Sequence, residues 1–160
     1  MRRGEGGRGP TMTGSQQEDY LLRQAAAAAA MLARIIGLRS GGKDAEARVQ
    51  LEEAYSLVLG PQAGLLRRVD SGTAATILGS AQSILAFARL LHEEAAQEPD
   101  AHRSAGLKVR AVELGIEAAR CAMDSGPALQ FLEGLVPGID PRLLTDGQRA
   151  FLEESLEWRT

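Results

Sequence analysis

Two histidines, His92 and His102, and one cysteine, Cys121, are the whole imidazole and thiol inventory of this 160-residue chain. A metal site draws on several His, Cys or carboxylate ligands at close spacing, and no two of these three lie three or four residues apart. "HEE" at 92–94 reads as a solvated helix face, because carboxylate-bridged sites in helical bundles use Glu-x-x-His pairs. Cys121 needs a cationic neighbour to become a nucleophile. Arg120 adjoins it in sequence but points elsewhere on a helix, so Cys121 is expected as a buried structural thiol. No G-x-S-x-G elbow occurs. "GLRSGGKD" at 37–44 lacks the G-x-x-x-x-G-K-[ST] phosphate loop and has no strand before it, so it reads as a turn between helices. The carboxylate pairs Glu52–Glu53, Glu93–Glu94 and Glu153–Glu154 are adjacent, hence splayed about a helix rather than aimed at one substrate. Arg67–Arg68 reads as solvated. The residues therefore predict no catalytic constellation, no metal and no cofactor, and a chain that is not an enzyme.

What would position such residues is legible in the composition. Hydrophobic residues are 44% and charged residues 24% of the chain, ordinary for a globular protein, but aromatics are only 4%. A core of Leu, Ile, Val and many Ala suits closely packed helices better than a sandwich or barrel. The length is that of one domain. Net charge is −3, and residues 1–11 hold three arginines against one glutamate, so the rest is more acidic still. An acidic body is poor material for neutralising phosphates, which argues against nucleic acid. A single cysteine fits a reducing cytoplasm. The preference for Arg over Lys, with abundant Ala and Gly, points to GC-rich bacterial coding.

Residues 1–17, "MRRGEGGRGPTMTGSQQ", have no apolar periodicity and are expected as a disordered tail before one domain at 18–160. Arg2–Arg3 has no hydrophobic stretch behind it to make an export signal, and Met12 offers a second start. In "RQAAAAAAMLARIIGLRSGG" the longest apolar run, Ala25 to Ala33, falls between Arg23 and Arg34, far short of a membrane span. Alanine is the best helix former. Leu21, Ala25, Ala28, Leu32 and Ile35 follow steps of four, three, four and three, one face of a helix with small residues in the middle. Ala29 and Ile36 widen that face.

The period recurs downstream. Ala47, Leu51, Ala54 and Val58 predict a second helix, ended by Gly60–Pro61 and antiparallel to the first across a short turn. Ile77, Ala81, Ile84 or Leu85, Ala88, Leu91 and Ala95 mark a third stretch, with Gly79–Ser80 as a possible break and Ser80 as a cap. Asp100 is placed to cap a helix over about 101–124. That helix carries two stripes, Leu107–Ala111–Leu114–Ala118–Cys121 and Val109–Val112–Ile116–Ala119–Met123, which predict contacts on more than one side. Pro127 opens a short helix, and Thr145 with Gln148 has capping-box spacing. No segment alternates with period two. The expectation is all-α, an antiparallel bundle of about six or seven helices.

The hairpin from Met31 to Leu59 resembles a tetratricopeptide-type helix pair. Gly42 matches the turn glycine, Ala47, Leu51 and Ala54 the small-large-small pattern of the second helix, and Met31 and Leu38 the large positions of the first. Arg34 and Ile35 depart from the motif. A second hairpin, Ala88 to Ala111, matches at Leu91, Ser104 and Ala111 and departs at His92 and Lys108. The two are offset by 57 residues, not the 34 of a tandem array, so the likeness is to an irregular bundle. From "EDYLLRQ" to the C-terminal helices, roughly 18–157, the chain also resembles a bacterial family of small tetratricopeptide-like proteins of unknown function. This resemblance implies an interaction module rather than an activity.

In such hairpins the inner face of the first helix lines a groove. Carried over, that face is Ala29, Leu32, Ile36, Arg39 and Ser40, and in the second hairpin Ala86, Arg89, Glu93, Ala96 and Gln97. A small apolar floor with Arg39 and Arg89 at its rim implies a protein or peptide partner carrying a carboxylate. Leu32 and Ile36 could instead simply pack against neighbouring helices. The rival reading is a structural homo-oligomer in which the alanine-rich helix meets its own copy across a two-fold axis. Neither reading involves nucleic acid or a membrane.

Overall fold

The structure, a computed structural model, describes residues 13–157. Eight α-helices and no strand occur among them: α1 (Gly14–Ser40), α2 (Asp44–Leu59), α3 (Ala63–Leu66), α4 (Ser71–Leu78), α5 (Ala81–Gln97), α6 (Ala101–Cys121), α7 (Gly126–Leu135) and α8 (Asp146–Leu156). The protein is an all-α bundle. Local chemistry sets the helix ends. Ser80, Asp100 and Thr145 each accept a backbone N–H from the residue three positions on, and Thr145 with Gln148 completes a reciprocal capping box. Gly79 ends α4 at φ 72°, a left-handed conformation that a side chain would strain. The break expected there is real, but it separates a two-turn helix that starts at Ser71. Ile77 consequently belongs to a different face from Ile84 and stays exposed.

Helices α5 and α6 form the centre. They pack along each other, α1 and α2 cover one side of α5, and α4, α7 and α8 lie against α6. Phe87, Leu90 and Ile84 of α5 meet Val112, Leu114 and Ile116 of α6 in a core that excludes water. The two stripes of α6 are both buried in mid-helix. Their C-terminal ends are not: α6 stops at Cys121 and Ala122 turns extended, so Cys121 and Met123 are exposed. The expected burial of the Cys121 thiol is therefore wrong, because the helix ends before the stripe reaches the core.

The N-terminal boundary also moves. Thr13 and Gln16 form a capping box of the same kind as Thr145 and Gln148, so α1 begins inside the stretch 1–17 expected to be disordered. Residues 1–12 and 158–160, and the side chain of Leu21, lie outside the described residues. At 27 residues α1 is about 40 Å long, whereas α2, with 16, spans about 24 Å. The hairpin pairs them from the shared turn, so the first turns of α1 overhang its partner. Every described side chain from Glu18 to Arg23 is exposed.

Several polar groups inside the bundle are paired across elements. Arg67 lies over the Tyr55 ring at 4.1 Å and forms ion pairs with Glu52 at 2.9 Å and Glu94 at 3.1 Å. The Tyr55 hydroxyl donates to Glu94 at 2.5 Å, and burial with that carboxylate pushes the phenol well above its ordinary value. Arg110 donates to the carbonyls of Leu66, Arg67 and Val69, the unpaired acceptors at the end of α3. Arg67 is thus a half-buried brace between α2 and α5 rather than a solvated charge.

Candidate functional site

A trough runs along α5, walled by α1 on one side and by the start of α7 on the other. Its middle is a cavity of about 210 Å³ lined by Ala25, Ala28, Ala29 and Leu32 of α1, Leu85, Ala86 and Arg89 of α5, and Pro127. It continues past Leu32 and Arg89 into a space of about 280 Å³ bounded by Ile36, Glu93 and Phe131. In the other direction, Gln82, Leu85 and Pro127 also border a wider opening of about 510 Å³ at Gly79, Cys121 and Met123. From Ala81 to Glu93 the floor covers more than three turns of α5, about 18 Å. The alanines of α1 create this space. A leucine at Ala28 or Ala29 would fill it.

Six of the ten residues expected to form a groove meet here: Ala29, Leu32, Ile36, Ala86, Arg89 and Glu93. Four do not. Ser40 and Ala96 are exposed elsewhere, and Gln97 donates to the Ala47 carbonyl at 3.4 Å. Arg39 is the substantive correction. Its Nε donates to Glu93 Oε1 at 2.7 Å and its Nη2 to Oε2 at 3.3 Å, a two-pronged pair that leaves the Glu93 side chain 4% exposed. The hydrogen bonds it donates to Glu93 hold the Arg39 guanidinium above its ordinary pKa. Arg39 ties α1 to α5 and is not offered to a ligand. No spacing rule could show this, because the two residues lie 54 positions apart.

Arg89 differs. Its Nε is buried with no hydrogen-bond acceptor, and among the described residues no carboxylate pairs with it. An apolar trough with one unsatisfied cation on its floor selects an apolar ligand carrying an anion. His92, at the Phe131 end, stands edge-on to that ring at 6.2 Å. Desolvation lowers its pKa, opposed by the Glu93 carboxylate and helped by the charges of Lys108 and Arg39.

Sequence reasoning missed Pro127 and Phe131 as walls. It placed Ala29 and Ile36 on a widened face of α1 but did not separate out the second stripe to which they belong. Leu22, Ala26, Ala29, Ala33 and Ile36 repeat the four-three-four-three stripe one residue on, rotated about 100° from the buried one, and all five are exposed. Among the described residues α1 is also the one helix long and apolar enough to cross a membrane, with only 6% of that stretch buried. Arg23 and Arg34 limit the uninterrupted apolar run but not the helix that carries them.

No group of three His, Cys, Asp or Glu side chains able to hold a metal converges among the described residues. Comparison with known proteins finds no matching family, curated protein or solved structure.

Proposed function

We propose that this chain is a protein-interaction module of tetratricopeptide-like build, without catalytic activity of its own. Its α1–α5–α7 trough would receive an apolar helical or extended segment that presents a carboxylate to Arg89. The observation that carries this reading is the buried Nε of Arg89, without an acceptor among the described residues, on a mainly apolar floor. A guanidinium so placed gains from a carboxylate what it lacks in the free protein. The antiparallel α1–α2 hairpin supports the tetratricopeptide likeness, with Ala47 and Ala54 wholly buried in its second helix.

An apolar fluorescent anion, anilinonaphthalene sulfonate, tests the site without a known partner. The wild type should bind it with a rise in emission. Arg89→Met, which removes the charge, and Ala86→Trp, which fills the floor, should each weaken binding by about tenfold while the helical circular dichroism is unchanged. Equal binding by all three proteins would place the apolar site elsewhere and remove the support for this reading.

A further inference from the structure

We infer that the occupant of this trough is the α1 helix of a second copy of the chain, docked antiparallel across a two-fold axis. The inference rests on the trough as a binding site and names what fills it. Two apolar stripes on one helix require two contacts, as α6 shows by burying both of its own. In α1 the stripe through Ala28 and Ile35 is buried against the fold, whereas Leu22, Ala26, Ala29, Ala33 and Ile36 are all exposed, Ala29 and Ile36 at the edge of the trough. The overhang makes the mismatch acute, with Tyr20 48% and Leu22 63% exposed on turns that α2 does not reach.

Charge selects the second copy over an arbitrary apolar helix. The overhang carries Glu18 and Asp19, exposed and free of ion pairs among the described residues. Arg23 turns back on its own helix, its Nε donating to the Asp19 carbonyl at 3.3 Å. Facing them would be Arg34, exposed and likewise free of ion pairs among the described residues, and Arg89. An antiparallel pairing centred on Ala27 sets residues equidistant from Ala27 side by side. Leu22 of one copy then lies against Leu32 of the other, and Glu18 against Ile36, beside Arg89. Asp19 comes level with Ile35, one residue from Arg34. A single register therefore satisfies both carboxylates, and symmetry makes each contact twice. At the crossing only alanines meet, which allows the short interaxial distance. Each overhang enters the other copy's trough beyond the end of its own α2, so the two bodies are offset along the helices.

Sedimentation equilibrium over a wide concentration range tests this, with thermal melts confirming that each variant is folded. The wild type should move from the 17.0 kDa monomer toward twice that mass. Glu18→Arg and Arg89→Glu should each weaken association by about tenfold or more through like-charge contacts made twice. The combined Glu18→Arg/Arg89→Glu protein should recover it, because the pair is merely swapped. Leu22→Asp, on the exposed overhang, should give a monomer and guards against a folding defect at Arg89. A wild type that stays monomeric throughout overturns the inference; retained binding of the fluorescent anion would then leave the trough itself standing. A dimer indifferent to Glu18→Arg and Leu22→Asp overturns it too, by placing the interface elsewhere. So does a monomer that floats with phosphatidylcholine–phosphatidylglycerol vesicles, which would give the outer face of α1 to lipid.

Discussion

Arg39 and Arg89 lie on neighbouring helices and are chemically identical, yet the fold gives them opposite roles. Arg39 is spent on Glu93, while the Nε of Arg89 is held without a partner among the described residues. Removing Arg39 strands a buried carboxylate. Arg39→Met should therefore cost about 2 kcal/mol in urea unfolding, less than a fully buried pair because a third of the arginine side chain is solvated. Arg39→Met/Glu93→Met should recover most of that loss. A single variant as stable as the wild type would show the pair to be energetically idle. His92 gives a pH dependence of definite sign. Its folded-state pKa is depressed, so the folded protein binds fewer protons than the unfolded chain. Its contribution is intact above the ordinary imidazole pKa and is lost as pH falls below it toward the depressed value. The drop in melting temperature between about pH 7.5 and about pH 5 should thus be smaller in His92→Phe than in the wild type. An equal drop would show that His92 does not contribute.

At the scale of elements, the contact of α6 with α7 depends on an absent side chain. A Cβ at Gly115 would come within 2.7 Å of Leu132 Cδ2 and 3.3 Å of Phe131 Cδ1. Leu132 is itself completely buried and has little room to yield. Gly115→Ala should therefore destabilise by about 1–3 kcal/mol, although alanine is the better helix former. A neutral or stabilising change, read from denaturant unfolding, would mean that α7 shifts freely and that the Phe131 wall of the trough is soft. Helix caps were readable in sequence at Ser80, Asp100 and Thr145, because each is a local exchange between residues three apart. Thr13 and Gln16 carry the same signal, but the Gly-rich composition around them hid it. Composition averages over a window. A capping box needs only two side chains.

At the scale of the whole molecule, the period of apolar residues determined that the chain is helical and where most helices lie. The scarcity of aromatics and the alanine run determined that helices approach closely. These are properties of residues within a few turns of one another, and a linear reading reaches them. The tertiary structure alone decided which arginine is paired, because Arg39 meets Glu93 only when α1 lies beside α5. It alone decided that Cys121 is exposed, that Arg67 braces Tyr55 and that Pro127 and Phe131 wall the trough. Above all it decided which stripe of α1 the fold uses. Both stripes have the same spacing and nearly the same residue types, so the sequence treats them alike. A helix packed against one body can bury only one of them, and the choice is made by where α2 and α5 lie.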